Sequence, residues 1–155
     1  MAPMKGVFKC AHPEKYAGNY LNIIYRSGWE FKLMFQLDHD PNIVLWASEE
    51  KAIGYISPLD NRPHRYFPDF IVKERLTNGK TCTKIIEIKP FKETLPPKQP
   101  SVKKGSKPSR TKRFIKEVET YAVNQAKWAS ARKYCEKIGA QFVILTENEL
   151  FGRIK

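Results

Sequence analysis

The sequence predicts an α/β fold in one domain over residues 1–155. Its order is a helix, three to four mostly antiparallel strands, a long helix, a strand and a short terminal helix. Three observations carry this reading. Apolar residues recur at helical spacing over 28–38 and again over 114–138. Between those stretches, Asn78-Gly79 separates two β-rich runs, which is a hairpin signature. After the second stretch, Gln141-Phe-Val-Ile-Leu145 is the short apolar run of a buried strand.

Each element has a local cause. Residues 1–26 read as irregular and rich in aromatics, with Tyr20–Tyr25 a short strand or a packing arm. Ser27 with Glu30 forms a capping box that opens a helix from Gly28 to Asp38. Trp29, Leu33, Met34 and Leu37 supply its apolar face, and Asp40-Pro41-Asn42 closes it. Ile43–Trp46 and Ala52–Ile56 read as strands. Pro58, Asp60, Asn61 and Pro63 make the loop after them rich in turns. Arg65–Leu76 and Thr81–Lys89 are the arms of the hairpin. Phe114–Ile138 is the long helix, with Val118, Tyr121, Ala122, Gln125 and Ala129 as its apolar stripe and Gly139 as its stop. Thr146 and Glu149 form a second capping box for the final short helix.

Residues 91–113 differ in character. Eight Lys or Arg stand there against one acid, Glu93, and Pro96, Pro97, Pro100 and Pro108 argue against regular structure. The segment is expected to be a basic, proline-rich loop. It holds more than half of the formal net charge of +12. That much positive charge on a small domain points to a polyanionic partner, nucleic acid first. No apolar run approaches the ~20 residues of a membrane span, so no membrane association is expected. The start lacks the apolar core of a secretory signal. Cys10, Cys82 and Cys135 are odd in number and have no paired spacing, which argues against a disulfide framework. Cys10-Ala11-His12 lacks the second ligand pair that zinc needs.

The hairpin register decides where the charged residues meet. A two-residue turn at Asn78-Gly79 sets Asp69 opposite Ile88, with the two acids on opposite faces. A three-residue loop, Thr77-Asn78-Gly79 with Gly79 left-handed, sets Asp69 opposite Glu87. The second register also gathers Phe70, Val72, Ile86 and Ile88 on one apolar face, and it is the one expected. Glu87 and Lys89, two apart, share the face of Asp69. Two carboxylates beside an ammonium suit a hard cation and a phosphate ester. Mg²⁺ takes one or two carboxylates plus water and substrate oxygens, and the ammonium stabilises charge or positions water. Mg²⁺ is the expected cofactor, with Mn²⁺ as the alternative.

Phe67-Pro68-Asp69-Phe70 followed by Ile86-Glu87-Ile88-Lys89-Pro90, on strands after an N-terminal helix, resembles the PD-(D/E)xK nuclease superfamily with its restriction-endonuclease-like core. Tyr25–Glu30, Trp46–Glu49, His64–Phe70, Ile86–Pro90, Val123–Trp128 and Ile144–Leu150 together resemble the head-completion nucleases of tailed myophages. The layout is also similar to TnsA-type transposon-end endonucleases. The resemblance implies metal-dependent cleavage of DNA, catalytic roles for Asp69, Glu87 and Lys89, and metal binding by Asp69 and Glu87. It implies a further acid at Glu30, which competes with that residue's capping role; Glu49 and Glu50 are the alternatives. It implies a virion protein of the head or neck, made in the host cytoplasm, with other head and neck proteins as partners. The other readings are a non-catalytic DNA-binding structural protein, or a repair, junction or transposon-end nuclease. Oligomeric state is not legible.

DNA contacts are expected from Arg65 and from Lys92, Lys98, Lys103, Lys104, Lys107, Arg110, Lys112 and Arg113, with a steep salt dependence. Gln125 is a polar amide on the long helix that either satisfies a buried backbone group or faces the site. Lys127 is a phosphate contact or simply exposed.

Overall fold

The computed structural model of the chain describes residues 5–98 and 108–152, the side chains of 108–111 excepted. In order, the elements are β1 (Gly6–Phe8), a short 3-10 turn at Pro13–Lys15, β2 (Ile23–Tyr25), α1 (Gly28–His39), β3 (Ile43–Ser48), β4 (Ile53–Ile56) and β5 (Pro63–Tyr66). They continue with β6 (Phe70–Arg75), β7 (Thr81–Ile88), a 3-10 turn at Phe91–Thr94, α2 (Pro108–Ile138), β8 (Gln141–Leu145) and α3 (Glu147–Leu150).

The central sheet has the order β3-β6-β7-β8. β3, β6 and β7 run antiparallel to their neighbours, and β8 returns parallel to β7 after α2. This is the expected mixed α/β, restriction-endonuclease-like arrangement. The parallel return follows from the crossover, because a parallel neighbour needs a long connection and α2 supplies it. Helices cover both faces, so both must be apolar. Phe70, Val72, Ile86 and Trp46 pack on one side with Leu33, Met34 and Leu37 of α1. Ile85 packs on the other with Trp128, Ala131 and Cys135 of α2 and with Ile53, Tyr55 and Tyr66 of the β4–β5 hairpin.

The hairpin has the expected register. Phe70 faces Ile86, Ile71 faces Ile85 and Arg75 faces Thr81. The Leu76 N–H donates to Lys80 O at 2.7 Å, which leaves a three-residue loop with Gly79 at φ 83°. A left-handed residue at that position is what fixes this loop length, and glycine enters it without a Cβ clash. The helix ends form as read, except that the Ser27–Glu30 box closes on one side alone, because Glu30 accepts from the Arg26 N–H instead of the Ser27 N–H. Ser27 Oγ accepts from the Glu30 N–H at 3.1 Å, and Gly139 ends α2 at φ 72°. Thr146 and Glu149 make the reciprocal box.

Four expectations need correction. The N-terminal stretch is not simply irregular: β1 pairs antiparallel with β2 and buries Phe8 and Ile23. The single strand Arg65–Leu76 is two strands in different sheets. β5 pairs with β4, and the chain then crosses to the central sheet through Phe67-Pro68-Asp69. Pro68 has no N–H to give a ladder, so the break falls there. The segment 91–113 is partly regular, with a 3-10 turn at its start and α2 beginning at Pro108. Proline is well suited to a first helical turn, where its missing N–H is not needed. Finally, the buried seam of α2 is Asn124, Trp128, Ala131 and Cys135, at helical spacing of four, three and four. Val118 and Ala129 of the expected stripe are exposed. Apolar residues at neighbouring helical positions do not by themselves say which stripe meets the sheet.

Candidate active site

The break at Pro68 and the hairpin register together build the site. Asp69 stands at the entrance to β6, and its Oδ2 accepts from the Ile88 N–H at 2.7 Å. That bond ties the carboxylate to the backbone next to Glu87. Glu87 lies on the α2 side of β7, level with Ile85, and is 7% exposed. Its Oε1 accepts from the Tyr66 hydroxyl at 2.8 Å, in a buried contact. Its Oε2 lies 3.9 Å from Lys89 Nζ. Each acid therefore spends one oxygen on a neutral donor; the second Glu87 oxygen faces Lys89, and among the described residues the second Asp69 oxygen has no hydrogen-bond partner.

Asp69 feels the charges of three other acids. Burial pushes the Asp69 carboxyl up to about 8, and the charges of Glu87, Glu30 and Glu49 push in the same direction. The Ile88 N–H opposes the shift. Burial and Glu49 likewise raise the Glu30 carboxyl, while the Arg26 N–H and guanidinium lower it. Glu30 does not close its capping box: its Oε2 accepts from the Arg26 N–H at 3.0 Å, one residue before the cap. Ser27 alone caps the helix, and the Glu30 carboxylate stays on the Arg26 N–H. Arg26 pairs with Glu49, which is itself held beside Asp69 by a Glu49 N–H to Asp69 O bond of 3.1 Å. Glu49 adopts φ 53°, a left-handed conformation rare for a residue with a Cβ. Glu50 points elsewhere, toward the hydroxyl of Tyr16 at 3.3 Å.

Two carboxylates with a single ammonium beside them leave net negative charge that suits a divalent cation. Among the described residues, however, no three His, Cys, Asp or Glu side chains are gathered closely enough to hold one ion. Asp69 and Glu87 are the two residues that could hold an ion here, with water or substrate oxygens filling the other positions.

Other expected residues fall around this centre. Lys127 is half-buried, its Nζ 5.7 Å from the Tyr66 ring centre and 5.9 Å from that of Tyr55. Gln125 is half-buried on α2 beside the seam and makes no side-chain hydrogen bond among the described residues. Arg65 is exposed on β5, its guanidinium 5.7 Å from the Phe67 ring. Lys92, Lys98, Lys112 and Arg113 are exposed, and Arg113 bonds Glu117 at 3.2 Å. Lys103, Lys104 and Lys107, and the side chain of Arg110, lie outside the described residues.

Tyr66 and Arg26 are the residues the sequence reading missed. Tyr66 was one aromatic among many, and only the strand break brings its hydroxyl under Glu87. The available signal was its position three residues before Asp69, within the same short motif.

The TnsA-like endonuclease N-terminal domain profile matches residues 40–147. The head completion nuclease of Enterobacteria phage T4 is 41% identical over 137 residues, which cover 88% of this chain and 86% of the phage T4 protein. No solved structure matches significantly. The profile match runs from the foot of β3 to the first residue of α3, so that every strand of the central sheet lies inside it, and the chain belongs to the TnsA-like endonuclease family.

Proposed function

We propose that this chain is a metal-dependent endodeoxyribonuclease of a tailed phage. It acts on packaged DNA or its ends while the head is completed, before the neck or tail attaches. The observation that carries the reading is the pairing of Asp69 with Glu87 across the hairpin, each held by a neutral donor. The name of the phage T4 relative supports the biological setting. The reading makes other head and neck proteins partners, and the virion the site of action after synthesis in the host cytoplasm.

Asp69 and Glu87 are the residues that hold Mg²⁺, or Mn²⁺ in its place. The bound ion supplies Lewis-acid polarisation of the phosphodiester and a more acidic water. The chain's own residues do the rest. The Ile88 N–H and the Tyr66 hydroxyl fix the two carboxylates, so that no reorientation is needed when substrate arrives. Lys89, restrained by Glu87, orients the attacking water and offsets charge gained at the phosphate oxygens. Glu30 completes the acidic set and stands where it can accept a proton. Arg65, Lys92, Lys98, Lys112 and Arg113 meet the phosphates of the duplex, and Lys103, Lys104, Lys107 and Arg110 add phosphate contacts.

The test is incubation with supercoiled plasmid in Mg²⁺, in Mn²⁺ and in chelator, beside Asp69→Ala purified identically. Nicking that needs the ion and is lost in the variant supports the reading. Equal cutting by both proteins removes it. Salt-sensitive binding without cutting by either moves the assignment to a structural DNA-binding protein.

A further inference from the structure

A cleft of about 680 Å³ opens between the segment after Lys89 and the N-terminal half of α2. Its volume is in the ~300–1,000 Å³ range of small-ligand sites. One wall is Pro96 and Pro97, and the other carries Tyr121. Asn124 is at its inner end and is only 6% exposed. Lys92 and Lys116 stand at the rim. The two acids of the cleft are Glu93 and Glu117, and Glu117 is already paired with Arg113.

Flat apolar walls, an amide at the end and cations at the edge match one chemical class. A nucleobase stacks on an aromatic ring, an Asn amide can pair with its edge, and ammonium groups meet the flanking phosphates. Duplex DNA cannot offer a base to such a slot without unpairing it. The position also fits. Lys92 is three residues from Lys89, so their Cα atoms lie within roughly 11 Å of each other. Asn124 is one helical turn before Trp128, whose indole packs in the same cluster as Tyr66.

We propose that this cleft binds an unpaired nucleotide of the DNA strand, stacked on Tyr121 and read by Asn124, so that the protein prefers DNA with single-stranded tails over blunt duplex. The inference rests on the reading of the chain as a DNA nuclease. The net charge of +12 makes a nucleic-acid strand the fitting occupant rather than a basic or neutral peptide.

The test measures binding of the full chain in chelator, by fluorescence anisotropy, to blunt duplex and to the same duplex with a short single-stranded tail. A second probe carries 2-aminopurine at the first unpaired position. The expected result is tighter binding of the tailed DNA and quenching of the 2-aminopurine. Tyr121→Leu should weaken tailed DNA about tenfold more than blunt DNA and abolish the quenching. Tyr121→Phe, which keeps the ring, should retain both. Equal affinity for tailed and blunt DNA in the native protein overturns the inference but leaves the nuclease reading standing. Equal weakening on both DNAs by Tyr121→Leu also overturns it. Absence of salt-sensitive binding to any DNA overturns both readings together.

Discussion

The Tyr66 hydroxyl donates to Glu87 Oε1 at 2.8 Å, in a contact that water does not reach. Tyr66 ends one small sheet and Glu87 lies in another, so the bond ties the β4–β5 hairpin to the central sheet. It also directs the second Glu87 oxygen toward Lys89. Burial and the charges of Glu87 and Asp69 push the pKa of the phenol well up, so it stays a donor at any working pH. The Trp128 indole N–H lies near the Tyr66 oxygen but is buried with no partner at hydrogen-bond distance.

Tyr66→Phe removes that donor and leaves a buried carboxylate oxygen unpaired. A cost of about 1–3 kcal/mol in folding stability is expected, read as a lower urea midpoint at unchanged slope. Nicking should fall as well, and should need a higher Mg²⁺ concentration. An unchanged Mg²⁺ requirement would show that Glu87 keeps its orientation without Tyr66.

Asp69 gives a pH signature. Its carboxyl moves from 3.8 to about 8 in the folded chain, so folding favours its protonated form. That stabilisation is complete below about pH 4 and is lost as pH rises toward 8. Asp69→Asn keeps a neutral side chain throughout. In chelator, the variant and native protein should melt together near pH 4. Near pH 8 the variant should melt higher by several degrees. Mg²⁺ at pH 8 should then raise Tm of the native protein and not of the variant. Parallel melting curves across the whole range would show that Asp69 ionises normally.

Geometry separates Glu30 and Glu49 from Glu50 as candidates for the third acid. Glu30 and Glu49 both act on Asp69, whereas Glu50 faces Tyr16. Glu30→Gln should reduce plasmid nicking at saturating Mg²⁺ at least tenfold, and Glu50→Gln should leave it unchanged. Glu49 already has Arg26 as its partner, so Glu49→Gln should have the intermediate effect. Equal loss with Glu30→Gln and Glu50→Gln would show that neither charge acts at the site.

Lys89→Ala should lower nicking by about a hundredfold while blunt-duplex affinity in chelator changes little, because one ammonium near the reacting phosphate acts mainly on the transition state. Lys92→Ala with Lys98→Ala should do the reverse. Each lost phosphate contact should reduce the slope of log K against log salt by about 0.9. A slope unchanged in the double variant would remove both lysines from the DNA interface.

What the sequence determined is local, and the reasons are local. Gly79 with a left-handed φ sets the loop length, and the loop length sets the register that brings Asp69 to Glu87. Ser27, Gly139 and the Thr146–Glu149 box fix helix ends through bonds only a few residues long. Alternation then puts Glu87 and Lys89 on one side. Each of these depends on neighbours in the chain, so each is legible there.

Tertiary structure decided the rest. Pro68 could mark a bulge or a break, and only the packing of β4–β5 against α2 turned it into a change of sheet. That change carried Tyr66 under Glu87. The seam of α2 was chosen by the sheet it meets, which selected Asn124, Trp128, Ala131 and Cys135 over an equally apolar neighbouring stripe. Glu30 left its capping box because the Arg26 N–H was within reach, an outcome that depends on how β2 enters α1. Strand pairing and capping are settled by short-range geometry, whereas the choice of face, partner and third acid is a competition among distant groups that the chain brings together only on folding.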